Sequence, residues 1–322
     1  MSDDLKTRPQ DLSQRLPLER LRAFEALGYG MFIHYGMSTF LANELPNGKD
    51  PATAYAPTNL DVGQWISVAR DAGMKYAILT TKHVAGHCLW PSKLTDYTVA
   101  HSADTTDVVG AFVTACRERG LLPGFYYCSW DNHNRFGSKT PSDPDDNGFG
   151  PTAAYQTFQT AQLTELLTQY GPIAETWVGI PGILGRGYRT FLYQHLAGLQ
   201  PETVIMMNSG ISTQESYNVD YAWPSDIIAI ERSLPTAAGF NKVRQIEGKS
   251  YYMPGEVCDP IGKDWFFVPG DRPRDDKPLA AQFQACRACG VNFLLDVPPD
   301  TTGQIPRETV QALLRLRKNV GI

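Results

Sequence analysis

Gly171-Pro172-Ile173-Ala174-Glu175-Thr176-Trp177-Val178-Gly179-Ile180-Pro181-Gly182 is the stretch on which the fold turns. An apolar run that starts at Ile173, reaches Trp177 and stops at a glycine reads as a buried strand that delivers its last residues into a pocket. The residues before it, Ala153 to Tyr170, place Leu163, Leu166 and Leu167 on one helical face, and a second helical pattern follows from Tyr188 to Leu199. Polar residues at the tips of other segments converge on the end of this strand. Gly179 itself carries no acid, base or nucleophile.

The same helix and strand alternation extends in both directions. Upstream, Met31-Phe32-Ile33-His34 follows a helix over Pro17 to Leu27, and Asp61 to Ala72 is a helix with Asp61 as its N-cap and Gly73 as its stop. Tyr76 to His83 is a near-continuous apolar run that turns polar only at its end, the profile of a parallel strand buried on both faces. A helix over Asp104 to Arg119 then leads to a strand over Pro123 to Cys128. Downstream, strands are expected over Thr203 to Asn208, Ile227 to Glu231, Tyr251 to Glu256 and Val291 to Val297, with helices over Leu279 to Cys289 and Pro306 to Val320. Eight strands interleaved with helices, in one composition regime, predict an α/β fold: a (β/α)8 TIM-like barrel forming a single domain over residues 1–322, with 1–16 as a loose lead-in. A doubly wound sheet would want a glycine-rich phosphate loop after its first strand, and Tyr35-Gly36 does not supply one.

Composition narrows the function classes. With 322 residues, 42% hydrophobic and 20% charged, the chain is long enough for one large domain, and its net charge of −5 with no basic run argues against nucleic acid. No run of about 18 apolar residues suggests a membrane span, and Met1 to Lys6 lacks the basic and apolar regions of a secretory signal. The six cysteines are scattered through apolar stretches, which suits buried free thiols, so a cytoplasmic location is expected. Cys286 and Cys289 form an isolated CxxC inside a helical pattern, with no second pair to complete a zinc site.

In a barrel of this kind the site is built by the loops after the strands. His34, His83, Tyr126, Trp130, Trp177, Asn208, Glu231 and Glu256 all fall at or just past predicted strand ends. Aromatic faces beside histidine, amide and carboxylate groups suit a sugar, whose C–H faces pack on rings while fixed donors and acceptors read its hydroxyls. His83 and His87 are spaced i, i+4, but Gly86 and the preceding strand make this a loop, so no metal is expected; no cofactor is expected either. Ser38, Ser129 and Ser209 lack a nucleophile-elbow pattern.

Several motifs, in order, resemble the family 29 glycoside hydrolases, the α-L-fucosidases. They are Gly30-Met31-Phe32-Ile33-His34-Tyr35-Gly36, the run Asp71 to His83, Cys88-Leu89-Trp90-Pro91-Ser92 and Thr95-Asp96-Tyr97. Phe125-Tyr126-Tyr127-Cys128-Ser129-Trp130-Asp131, Gln162 to Leu167 and Asn292 to Pro299 continue the likeness. Ser38-Thr39-Phe40 with Glu44, and Trp130-Asp131-Asn132-His133, are similar to loops of the subgroup that cleaves branched α-1,3/1,4-linked fucose. The resemblance implies a barrel acting on terminal α-linked L-fucose of oligosaccharides or glycoconjugates, with sugar contacts from His34, Glu44, His83, Trp90, Tyr126, Trp130, His133, Trp177 and Asn208. Family members often carry a β-sandwich after the barrel; none is expected before Ile322.

Three positions depart from the family pattern. Its paired histidine after the second strand appears as His83-Val84, leaving one sugar contact to His87 or another group, and its Asp-Gly appears as Ala85-Gly86. Where the family reads Trp, a hydrophobic residue and the catalytic aspartate, this chain reads Trp177-Val178-Gly179, which leaves the nucleophile position vacant. The family mechanism is retaining: a carboxylate attacks the anomeric carbon, and an acid about 5 Å away protonates the leaving oxygen. Glu231, in a segment resembling the one that carries the family's acid/base, is the expected acid, with Glu256 as the alternative. The expected form is therefore a fucosidase scaffold with abolished or strongly reduced hydrolysis, either inactive or a glycosynthase; the alternative is a natural pseudoenzyme that binds fucose. An inverting glycosidase using Asp131 or Asp220 would need its carboxyl pair about 6.5–9.5 Å apart.

Overall fold

The computed structural model describes residues 12–139, 150–210, 217–235 and 239–322. Eight parallel strands form one curved sheet: β1 (Tyr29–Ile33), β2 (Tyr76–Lys82), β3 (Leu122–Cys128), β4 (Glu175–Gly179), β5 (Val204–Met207), β6 (Ile228–Glu231), β9 (Gly255–Pro260) and β10 (Asn292–Asp296). Strands β7 (Val243–Ile246) and β8 (Lys249–Tyr252) make a separate antiparallel hairpin. The sheet order is β5-β4-β3-β2-β1-β10-β9-β6, so it nearly closes and only β5 and β6 lack a ladder between them. This is the expected (β/α)8 barrel.

Asp226 and Ser225 bridge that seam with side chains in place of strand pairing. Asp226 Oδ2 accepts from the Ile205 N–H at 2.8 Å, and the Met207 N–H donates to Ser225 Oγ at 3.1 Å. Arg15 Nη2 donates in turn to Asp226 Oδ2 at 2.5 Å and to the Thr203 carbonyl at 2.6 Å, and Leu16 is buried. Residues 12–16 are thus tied to the barrel wall rather than forming a loose lead-in; residues 1–11 of that expected segment lie outside the described residues. A buried ion pair holds because its remaining donors and acceptors are satisfied, and the Tyr193 hydroxyl completes this one on Asp226.

The helices follow the expected pattern. Asp61 caps α3 (Val62–Asp71) by accepting from the Gln64 N–H at 2.8 Å, and Asp107 caps α4 (Val108–Glu118) through Gly110 N–H at 2.9 Å. Thr152 likewise caps α5 (Ala153–Gln169), whose Leu163, Leu166 and Leu167 are all buried. Alternation along each strand splits the core: Ile78, Tyr126 and Trp177 fill the barrel lumen, whereas Leu79, Phe125 and Val178 pack outward against the helix layer.

The seventh barrel strand departs from expectation. Tyr251 to Glu256 was the sequence candidate, but Tyr251 and Tyr252 belong to the hairpin and the barrel strand begins at Gly255. Pro254, which has no N–H to donate, separates the two. Glu256 therefore sits near the start of β9, beside Asn292 and Ala229, rather than at its end.

Candidate active site

At the carboxyl ends of the strands a small cavity of about 100 Å³ is lined by Phe32, His34, Glu44, Leu45, His83, Tyr126, Trp177, Ile180, Asn208, Glu231, Cys258 and Trp265. Seven of the residues expected from sequence meet here: His34, Glu44, His83, Tyr126, Trp177, Asn208 and Glu231. A larger groove of about 680 Å³ opens at the opposite end, around Gly28, Lys75 and Gly290, where the strands begin. It gathers none of these groups.

His34 leaves the end of β1, and its orientation is fixed by Asp296 at the end of β10. Its Nδ1 lies 2.7 Å from Asp296 Oδ1, which also accepts the His34 backbone N–H at 3.2 Å. A carboxylate that already accepts the backbone N–H also suits the Nδ1–H tautomer, leaving Nε2 as a lone-pair acceptor. Burial pushes His34 down to about 3 and, together with the neighbouring His34, pushes His83 down to about 3 as well. Both rings are neutral at physiological pH, which suits hydrogen bonding to hydroxyls.

Glu231 ends β6. Burial raises its carboxyl above the usual range, opposed by Asn208, whose Nδ2 donates to Glu231 Oε2 at 3.4 Å, and by the nearby Arg232. A carboxyl kept protonated towards neutral pH is what a general acid requires. Arg232 itself lies over the Trp265 ring, 4.7 Å from its centroid, so the loop after β6 and the loop after β9 hold each other.

Glu256 stands elsewhere. It is fully buried in the barrel lumen, accepts from Trp177 Nε1 at 3.1 Å and from the Tyr76 hydroxyl, and lines no part of the cavity. Burial pushes it up to about 7, and burial followed by the charge of Glu256 raises the neighbouring Glu175 well above the carboxylate range. Glu256 supports Trp177 from below.

Three further sequence candidates lie outside the cavity. Trp90 is buried with its Nε1 3.1 Å from Glu165 Oε2. Trp130 donates to Asn132 Oδ1 at 2.7 Å, and the Asn132 amide donates to the Pro46 carbonyl. The His133 ring stacks on Tyr97 at 3.9 Å, and its Nδ1 is 2.7 Å from the Gly48 carbonyl. Trp130, through Asn132, and His133 thus brace the segment after Glu44 at Pro46 and Gly48. His87 turns away too, with Nε2 2.8 Å from Ser102 Oγ and its ring stacked on Tyr55.

Asp131 is fully enclosed and bound to Lys82 Nζ at 2.6 Å, and Asp220 lies on α7 (Val219–Ala222); neither lines the cavity. The six cysteines are free thiols, and no group of three metal-ligating side chains occurs among the described residues.

Gly179 ends β4 opposite Cys128 of β3. A Cβ added there would lie 2.0 Å from Tyr126 Oη, 2.3 Å from Cζ and 2.7 Å from Cε2, well inside the 3.0 Å that real Cβ contacts keep. The position lacks a side chain, but its volume is filled. The next residue, Ile180, has φ 51° and ψ 49°, a left-handed conformation that is a genuine outlier for a β-branched residue.

Sequence reasoning missed Phe32, Leu45, Ile180, Cys258 and Trp265. Phe32 was readable, because it stands two residues before His34 and so shares its face of the strand. Cys258 pairs in register with Glu231 and was lost with the misplaced seventh strand. Trp265 arrives on a loop, where no periodicity marks it.

Fold and site together define a barrel of the glycoside hydrolase kind: aromatic walls, neutral histidines and a glutamic acid whose carboxyl is raised by desolvation, all at the strand ends. Residues 47–320 match the family model described as α-L-fucosidase, and the chain belongs to that family. "Alpha-L-fucosidase 1" of Arabidopsis thaliana is 30% identical over 320 residues, covering 92% of this chain and 59% of that protein. "Putative alpha-L-fucosidase 1" of Oryza sativa subsp. japonica is 29% identical over 308 residues, covering 88% and 54%. Among solved structures, α-L-fucosidase isoenzyme 1 from Paenibacillus thiaminolyticus superposes with a TM-score of 0.78 at 27% identity, over 93% of this chain and 75% of that one. The chain spans somewhat more than half the length of the curated relatives it matches.

Proposed function

We propose that this chain binds the terminal α-linked L-fucose of oligosaccharides or glycoconjugates in the strand-end cavity, on the scaffold of a retaining exo-α-L-fucosidase that lacks its nucleophile. The observation that carries the reading is a cavity lined by Glu231, whose carboxyl is raised by desolvation, and by Tyr126, whose ring covers the glycine at the place from which a carboxylate would attack. Glu231 is the acid/base, because it lines the cavity and Glu256 does not. His34, His83 and Asn208 read hydroxyls, while Phe32, Trp177 and Trp265 pack the C–H faces. Specificity for α-1,3/1,4-linked fucose rests on the loop similarity around Glu44. Free buried cysteines suit a cytoplasmic location, and no described helix is long and apolar enough to cross a membrane.

Without the covalent step, hydrolysis loses most of its acceleration. Calorimetry with L-fucose is expected to show saturable binding that weakens on His34→Ala, while 4-nitrophenyl α-L-fucoside is hydrolysed at or near background. Turnover at the level of an ordinary glycosidase, about 1–10³ s⁻¹, contradicts this reading. A synthase role, in which Glu231 activates an acceptor hydroxyl against a β-fucosyl fluoride, is the variant that transfer-product mass spectrometry tests. The filled space beside Gly179 favours a second reading, a natural fucose-binding protein.

A further inference from the structure

Gly179 is not an empty seat. Tyr126 comes from β3, whose ladder sets it opposite Trp177, two positions before the Cys128 to Gly179 pair. Both Tyr126 and Trp177 point into the lumen, so the phenol lies across the end of β4. Its ring is held on several sides: His83 stacks on it at 5.7 Å, and Phe32, His34 and Trp177 stand 5.8, 6.0 and 6.1 Å away. Tyrosine ring torsions turn only where the neighbours yield, and a close-packed aromatic cluster yields little.

Resting on the fucose-site reading above, we infer that Tyr126 is a specificity-determining residue that closes the attacking position: its phenol takes the volume of the absent side chain and denies it to any other nucleophile. Three features agree. The hydroxyl and two ring carbons, rather than the hydroxyl alone, fall within 2.0–2.7 Å of where a Cβ would stand. The cavity beside it is small, about 100 Å³, and Tyr126 is part of its lining, so the ring stands between that cavity and Gly179. Burial keeps the phenol protonated, so it does not replace the carboxylate as an attacking group.

The closure has a chemical signature. An enzyme whose nucleophile is simply deleted to glycine leaves room for a small anion. Azide then attacks the anomeric carbon of 4-nitrophenyl α-L-fucoside from the face opposite the leaving group. The C1–O bond breaks with its electron pair on the phenolic oxygen, which takes the Glu231 proton, and Glu231 regains a proton from solvent. The products are β-L-fucosyl azide and 4-nitrophenol. With Tyr126 in place, the native chain gives no azide-dependent product.

The test measures 4-nitrophenol release and β-L-fucosyl azide, by absorbance and mass spectrometry, with and without sodium azide. Tyr126→Ala is expected to form the azide adduct, raising release at least about tenfold over native. Tyr126→Leu, which keeps an apolar side chain in the cluster, carries the same expectation if the alanine variant unfolds. Tyr126→Phe retains both offending ring carbons and stays closed. Adduct formation by the native chain at the rate of the opened variants overturns the inference, and so does an opened, folded variant that binds L-fucose yet forms none. L-fucose calorimetry on each protein separates the two levels: loss of binding in the native chain condemns the fucose site, whereas binding without the predicted azide pattern condemns only the role of Tyr126.

Discussion

Gly179→Ala adds one methyl group at the end of β4, and its cost follows from the contacts already described. No positive φ is involved at this glycine, so the backbone accepts an L-residue and the penalty is steric. The new Cβ meets the Tyr126 hydroxyl, Cζ and Cε2 at 2.0, 2.3 and 2.7 Å, and the ring must shift against Phe32, His34, His83 and Trp177. Overpacking of this kind costs about 1–3 kcal/mol. The lower chain entropy of alanine in the unfolded state returns roughly 0.4–1 kcal/mol, so the net loss is about 0–2.6 kcal/mol. At no more than about 4 °C per kcal/mol for a chain of this length, Tm falls by at most about 10 °C.

Urea unfolding supplies the sharper assay, because a shifted midpoint with unchanged slope reports stability alone. In a Tyr126→Ala background, itself about 3–5 kcal/mol less stable, Gly179→Ala should cost nothing. The double-mutant cycle then returns a coupling of about 0.5–3 kcal/mol. A native-background Gly179→Ala with a raised midpoint, or a cycle that returns no coupling, refutes the seating of Tyr126 over this glycine.

Other parts of the structure give independent expectations. Lys82→Met removes the cation from a fully buried pair with Asp131, whose Oδ1 also accepts the N–H groups of His133 and Asn134, and is expected to cost about 3–5 kcal/mol in urea unfolding. Glu256 has a folded-state carboxyl raised from 4.5 to about 7, so the folded state holds its proton more tightly than the unfolded state does. The stability it contributes is present below pH 4.5 and is lost as pH rises through about 7; Glu256→Gln should flatten the fall between these limits, and an unchanged pH profile rules this out. Ile180→Gly relieves a left-handed conformation that costs about 1–2 kcal/mol, against the lost packing of a half-buried side chain. A Tm fall of more than about 6 °C, or some 2 kcal/mol, shows that the strain is not where the backbone places it. In the Tyr126→Ala background, Glu231→Gln should leave L-fucose binding measurable and spare azide-dependent release of 4-nitrophenol, whose phenolate departs without a proton, but abolish azide-dependent cleavage of a sugar-linked α-L-fucoside, whose alkoxide does not.

The sequence by itself determined the barrel, because strand burial, the helix cap at Asp61 and the glycine stops are local signals that each element satisfies within its own few residues. It also placed seven cavity residues, since a parallel strand turns polar where it leaves the core and all such ends lie at one rim. Where a segment's role depended on partners distant in the chain, only the tertiary structure decided it. Pro254 divided an apparent strand and sent Glu256 into the lumen. Trp90, Trp130 and His133 carried the same residue types as sugar contacts, yet Glu165, Asn132 and Gly48 claimed their polar atoms. Arg15, in a stretch that looked unanchored, closed the barrel seam through Asp226.

Gly179 combines both kinds of information. Its identity, read after Trp177 and Val178, puts no ionisable group at the end of β4. That Tyr126, two residues before the end of β3, occupies that volume is a contact between β3 and β4, fixed by their ladder register and by four surrounding rings, and no one-dimensional pattern encodes it.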